Sequence, residues 1–345
     1  MNRKKLVLVT GGTGYLGLHI ILQLLKKGYE VRTTVRSMKS SEVILQTLKD
    51  NSIQDVSRLS FAEADLSKDE GWAEAVAGCR YVLSVASPVF FEIPKNEADM
   101  MRPAVEGILR VLKASRNGHV KRVVMTSNFG AVGFSKKNPA VITTEADWTN
   151  PKERGLSAYE KSKLLAEREA WKFIKHEGDG LEFATINPVA ILGPALNSHT
   201  SGSFVLLNNL LDGTMKRVPP IPLNLVDVRD VAKLHILAME TPAANGERFI
   251  ASSDGQINMT EMAEIMRKDF PGISQKVSKK NMSPHFINFA SHFSQYAREG
   301  ALLLNMNRNV SNEKAKTLLG WKPRSSNQEI VTDSLKSMIQ WDLIK

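Results

Sequence analysis

Tyr159 and Lys163 are the residues whose types and spacing first suggest chemistry. They lie in LSAYEKSKLLAE (156–167), together with Lys161, Ser157 and Ser162. An isolated phenol ionises at about pH 10 and exchanges protons poorly at neutrality. On a helix, residues four apart share a face and residues two apart do not, so Lys163 neighbours Tyr159 while Lys161 points elsewhere. A nearby ammonium favours phenolate and lowers the tyrosine pKa. Such a pair is suited to protonating an alkoxide or deprotonating an alcohol.

VLVTGGTGYLG (7–17) indicates what the pair would work with. Gly11, Gly14 and Gly17 fall between a valine-rich strand and an amphipathic helix. Glycines permit a tight turn and close backbone approach, and the helix start offers N–H groups to a pyrophosphate. The spacing G-x-x-G-x-x-G is a variant of the dinucleotide fingerprint, in the strand-then-helix context that gives it meaning. An acid for the ribose of NAD is expected about 20 residues on. Glu30 is near that count, but it opens the second strand, and five strand residues span ~17 Å. It therefore belongs at the wrong end of the sheet. The far end carries Arg36 and Lys39, cations suited to a 2′-phosphate, so NADP is expected over NAD. Asp65, past the third strand, is placed either to accept from an adenine amino group or to cap the next helix. SVASPV (84–89) ends the fourth strand with small residues that let backbone lie against a cofactor.

The elements that must position these groups follow from the pattern. KLVLVT (5–10), EVRTTV (30–35), RLSFAEA (58–64), YVLSVA (81–86), RVVMTS (122–127) and LEFATI (181–186) read as strands. Amphipathic runs at 15–28, 41–50, 98–118 and from Tyr159 to about His176 read as helices between them. The alternation predicts an α/β fold, a Rossmann-type doubly wound parallel sheet. Past Pro188 the chain turns rich in proline and glycine, with helical patterns at 228–240, 259–269, 311–319 and 326–342. A dinucleotide domain is expected over 1–187 plus about 223–250. A smaller, interleaved substrate-binding α/β portion is expected over 188–222 and 251–345.

Composition bounds the classes. The chain has 345 residues, 42% hydrophobic and 24% charged, room for one large domain or a large and a smaller one. Its net charge of +10 comes from scattered lysines and arginines without a basic block, so no nucleic-acid partner is expected. No apolar run is long enough to span a bilayer; the nearest, 284–306, is interrupted by Arg298 and Glu299. One cysteine, Cys79, excludes an intrachain disulfide and disfavours a thiolate metal site. A cytoplasmic protein without a metal is expected, monomer or homodimer being left open.

The chain resembles the extended short-chain dehydrogenase/reductase family. Within it, the likeness is to the dihydroflavonol reductase, cinnamoyl-CoA reductase and yeast-type aldehyde/ketone reductase branch. TGGTGYLG, TTVRS, ADL, VASPV, VVMTSN, YEKSKLLAE, INPVAILGP, LVDVRDVA and SNEKAKTLLGWKPRS carry the likeness over nearly the whole length. The resemblance implies hydride transfer between nicotinamide and a carbonyl carbon, with Tyr159 as proton donor. Lys163 would assist it and hold the ribose. The expected cofactor set adds Thr13, Tyr15, Leu16, Leu66, Val85, Ala86, Ser87, Thr126, Pro188 and Ile191 to the residues above. A serine usually completes the site; here MTSNFGAV gives Ser127 followed by Asn128. Asn128 takes the catalytic position by direct match, and an amide can donate to a carbonyl. Ser127 stays open as the alternative. Phe90, Phe129 and Phe204 are candidate walls for a small-molecule carbonyl substrate, beside the simpler reading of core packing. Two rivals remain: a nucleotide-sugar epimerase or dehydratase holding NAD tightly, with Arg217 and Arg248 gripping a diphosphate, or a non-catalytic NADP-binding redox sensor.

Overall fold

The computed structural model describes residues 5–87 and 97–344. Its strands are β1 (Leu6–Val9), β2 (Glu30–Val35), β3 (Leu59–Glu63), β4 (Tyr81–Ser84), β5 (Arg122–Thr126), β6 (Glu182–Pro188), β7 (Ala190–Leu192), β8 (Pro222–Leu223), β9 (Leu225–Asp227), β10 (Arg248–Ala251) and β11 (Ile257–Asn258). Seven of them form a parallel sheet in the order β10-β6-β5-β4-β1-β2-β3. The chain winds outward both ways from β1, which opens a crevice between β1 and β4 at the carboxyl ends of the strands. The two minor sheets pair β7 with β9 and β8 with β11.

The alternation of side chains assigns the two faces. Leu8, Val82, Val123 and Phe183 point one way, Val7, Val9, Leu83 and Val124 the other, and all are fully buried. Each such side chain contributes about 1.5–3 kcal/mol by leaving water, which is why the strands read as continuous apolar runs. The first face is covered by α3 (Trp72–Val76), α4 (Glu97–Asn117) and α5 (Ala158–Glu177). The opposite face is covered by α1 (Tyr15–Lys26) and α7 (Val228–Glu240), with α2 (Ser41–Asp50) beside them.

The rest of the chain adds α6 (Phe204–Leu211), α8 (Met259–Asp269), α9 (Pro284–Ala290), α10 (Gln295–Asn305), α11 (Glu313–Leu319), which packs beside α7 and β10, and α12 (Asn327–Gln340), which packs on α8 and β9. The α9 segment reaches the approach to α5, where Arg154 Nη2 donates to the Ser291 carbonyl at 3.4 Å. Among the described residues, no helix is long and apolar enough to cross a membrane. Cys79 is buried, and burial pushes its thiol up to about 11.

Candidate active site

The glycine loop joins β1 to α1 and is fastened to both neighbouring strands. Gly11 N–H donates to Thr34 Oγ1 of β2 at 3.1 Å. Thr10 Oγ1 accepts from the amides of Val85 and Ala86, each at 2.9 Å, and so pins the exit of β4 beside the loop. A Cβ on Gly17 would collide with the Gly11 carbonyl, and one on Gly12 with the Thr33 side chain. Gly14 caps α1 with no side-chain acceptor of its own. A side-chain-free turn ending in an uncapped helix start fits a pyrophosphate.

The adenosine end is also formed from the expected strand termini. Glu30 pairs with Leu6 at the amino end of the sheet, far from the loop, whereas Arg36 and Lys39 are exposed just past the carboxyl end of β2. Asp65 Oδ1 accepts from both the amide and the hydroxyl of Ser67 at 2.8 Å. The turn-capping role therefore occupies that oxygen. These bonds, with the Arg36 charge farther off, hold the Asp65 carboxyl below its usual range. Small residues, a helix start without a side-chain cap and two exposed cations together fit a phosphorylated dinucleotide.

Tyr159 stands one residue into α5, behind a capping box in which Ser157 Oγ accepts from Glu160 N–H and the Glu160 carboxylate accepts from Ser157 N–H. Its ring is 47% exposed, open to a ligand. Asn128, just past β5, reaches it. The Asn128 Oδ1 accepts from Gly130 N–H, which leaves the amide's Nδ2 hydrogens free to favour the phenolate form of the nearby Tyr159. Lys163 is buried one turn on, its Nζ 6.0 Å from the Tyr159 ring centroid. The expected depression of the tyrosine is not the net outcome. Desolvation of the hydroxyl, then the Glu160 carboxylate, push Tyr159 up to about 12 against the pull of Asn128. Burial likewise lowers Lys163 to about 8. Glu160 is half-buried, and desolvation of its carboxyl, with Glu299 adding to it, raises it to about 7.

Ser127 faces the other way. It is 2% exposed, and its hydroxyl donates to Glu167 Oε2 at 2.5 Å inside the protein. Successive residues of an extended chain point to opposite sides, so burying Ser127 is what aims Asn128 at the site. Thr126 also turns away from the expected cofactor, its hydroxyl bonding His235 Nε2 at 2.7 Å. The side chain of Tyr15 is buried, its hydroxyl donating to the Gly193 carbonyl at 2.9 Å. Only its backbone is left for a phosphate. Leu16 is buried in the same helix turn, Thr13 is half-buried in the loop, and Leu66 packs where Gly107 of α4 leaves room. Ser87 follows the carboxyl end of β4, Pro188 ends β6 and Ile191 lies within β7.

Phe129 and Phe204 are corrected from pocket walls to core. Each is 2% exposed, Phe129 edge-on to Phe134 at 6.2 Å and Phe204 edge-on to Tyr15 at 5.4 Å. Phe90 lies outside the described residues. Of the two cations considered for a diphosphate, Arg248 is withdrawn: its Nε donates to Glu167 at 2.8 Å and its Nη1 to the carbonyls of Glu145 and Asp147. Arg217 donates to the Asn281 carbonyl at 3.2 Å. The sequence reading missed Gly12, Thr10 and Glu167. The paired glycines at 11 and 12 were a visible signal for the first; the partners of the other two are distant in sequence. Among the described residues, no group of three or more His, Cys, Asp or Glu is arranged to hold a metal.

A doubly wound sheet with an uncapped glycine turn and a Tyr–Lys helix at its carboxyl edge defines a Rossmann-type enzyme that works with a dinucleotide. The chain belongs to the NAD dependent epimerase/dehydratase family, which residues 7–251 match. It is 31% identical to cinnamoyl-CoA reductase CAD2 of Medicago truncatula, over 79% of this chain and 83% of that one. It is 32% identical to an anthocyanidin reductase of Vitis vinifera, over 78% and 82%. Among solved structures it superposes on yeast methylglyoxal/isovaleraldehyde reductase Gre2 complexed with NADPH at a TM-score of 0.80. That match has 28% identity and covers 98% of this chain and 99% of Gre2. The sequence's likeness to extended short-chain dehydrogenase/reductases is thereby borne out.

Proposed function

We propose that this chain is an NADPH-dependent reductase of small or aromatic aldehydes and ketones, with Tyr159 as proton donor. The observation that carries the reading is the placing of Tyr159 and Lys163 one turn apart on α5, with the Lys163 Nζ 6.0 Å from the Tyr159 ring centroid, in a fold whose β1–α1 glycine turn is free of a side-chain cap. Kinship with NADPH-linked and carbonyl-reducing relatives supports the oxidoreductase class and the cofactor. The loop from Gly11 to Gly17 would hold the pyrophosphate, and Arg36 with Lys39 the 2′-phosphate. When bound, the reduced nicotinamide supplies hydride to the carbonyl carbon.

The protein's own groups handle the proton. A phenol with a pKa of about 12 is protonated at neutrality, ready to give its hydrogen to the carbonyl oxygen as negative charge develops there. Asn128 keeps amide hydrogens on the same side and can donate to that oxygen in the role a serine hydroxyl usually fills. The Lys163 ammonium stabilises the phenolate left behind. Because Arg248 is engaged inside the protein, the diphosphate grip that an epimerase would need loses one of its two candidate cations.

The test is NADPH oxidation by purified protein with isovaleraldehyde, aromatic aldehydes, methylglyoxal and sugar nucleotides, repeated with NADH. Turnover of aldehydes or ketones with preference for NADPH is expected. Protein that carries bound NAD and converts only sugar nucleotides would overturn the reading.

A further inference from the structure

We propose that Glu167 is a positioning residue: it holds Ser127 inward and so fixes the placing of Asn128 relative to Tyr159. The inference rests on the assignment of Asn128 and Tyr159 made above. Glu167 is fully buried on α5, one turn past Lys163 and two past Tyr159. Its carboxylate accepts from Ser127 Oγ at 2.5 Å, Asn187 Nδ2 at 2.7 Å, Arg248 Nε at 2.8 Å, Thr185 Oγ1 at 2.9 Å and Trp171 Nε1 at 3.3 Å. One side chain thus ties α5 to the carboxyl ends of β5 and β6 and to β10.

Two of those ties converge on Asn128. Ser127 is its chain neighbour, so fixing the Ser127 hydroxyl on the inner side sends residue 128 to the outer side. Asn187, the second, uses the same amide nitrogen to donate to the Asn128 backbone carbonyl at 3.3 Å. The carboxylate therefore grips the residues on both sides of the peptide that carries Asn128, from the very helix that carries Tyr159. The charge is needed because five donors converge on one group, and only an ionised carboxylate offers acceptors alone. The Arg248 guanidinium supplies the counter-charge, and it stacks over Trp148 with its carbon 3.7 Å from the ring centroid.

The experiment is a pair of double-mutant cycles on methylglyoxal or isovaleraldehyde reduction, with NADPH affinity read by fluorescence and folding by thermal melting. Glu167→Gln leaves a single acceptor oxygen and turns the other position into a donor. Ser127→Ala cuts only the tie to β5 and leaves the buried Arg248 pair, so it stays informative if the first variant folds poorly. Each is expected to lower kcat by about tenfold with NADPH affinity unchanged, and to cause no further loss in an Asn128→Ala background. Losses that multiply in that background, an unaffected Ser127→Ala enzyme, or NADPH affinity falling in step with kcat would overturn the positioning role. An Asn128→Ala enzyme with undiminished kcat would instead sink the assignment of Asn128 itself, and the proposal with it.

Discussion

Burial and charge pull in opposite directions on the two groups at the centre of the site. Lys163 sits where desolvation works against its charge, at a pKa of about 8, while Tyr159 stays protonated until about 12. At pH 7 the pair is therefore phenol plus ammonium, the state needed to protonate a nascent alkoxide. Raising the pH removes the lysine's proton first. Since kcat/KM reports ionisations of the free enzyme, reduction should fall above an apparent pKa of about 8. A profile flat to pH 10 would mean that the Lys163 charge is dispensable. Tyr159→Phe removes the transferable proton but no packing volume of note. It is expected to cut turnover by roughly 10²–10⁴-fold with NADPH affinity retained. Retained turnover would move the proton donor elsewhere; retained binding without turnover separates catalysis from mere sensing of the cofactor.

The β1–α1 turn shows how an element transmits such requirements. Gly17 lies on the first turn of α1, packed onto the Gly11 carbonyl, so Gly17→Ala must push helix and loop apart where the pyrophosphate would bind. NADPH affinity should weaken by about tenfold or more, about 1.4 kcal/mol, while the melting temperature moves little. Unchanged affinity in a fluorescence titration would show that the phosphates do not use this turn. Gly17 was legible in the sequence, as were the i, i+4 pair of Tyr159 and Lys163 on one helix face and six strands of the main sheet. Period-2 and period-3.6 patterns encode those directly. β10 escaped because RFIA is a short run inside an irregular stretch, and its place at the sheet edge is set by pairing with β6. The short helices α3 and α6 were left unassigned because so few turns carry little periodicity, and α9 with the three-turn α10 read only as a broken apolar region. Phe129 and Phe204 look equally apolar in a pocket wall or a core; only contacts with Phe134 and Tyr15 decide it. The choice between Ser127 and Asn128 was open for a similar reason. The acceptor that takes up the Ser127 hydroxyl is forty residues away, on another element.

At the scale of the molecule, two buried histidines join parts that are far apart in the chain. His235 of α7 bonds Thr126 at the end of β5 through Nε2, with Nδ1 on the Val231 carbonyl at 2.8 Å. His19 of α1 bonds the Pro194 carbonyl in the loop after β7 at 2.9 Å. Burial lowers both to about 4 from an ordinary 6.5. A depressed folded-state pKa means that the unfolded chain binds the proton first. Each group's contribution is thus complete above pH 6.5 and is lost as pH falls toward 4. Glu160 works against this trend. Its pKa is raised from 4.5 to about 7, so its contribution is present below 4.5 and lost as pH rises through 7. Total stability in that window mixes both signs, and a variant is needed to isolate one. His235→Asn cannot take up the proton, so wild type should lose about 2–3 kcal/mol relative to it between pH 7 and pH 4.5. Urea unfolding of both proteins at the two pH values measures the difference. A gap that stays constant would mean that His235 is already charged in the fold, and that the link from α7 to the end of β5 is held by something other than a neutral imidazole.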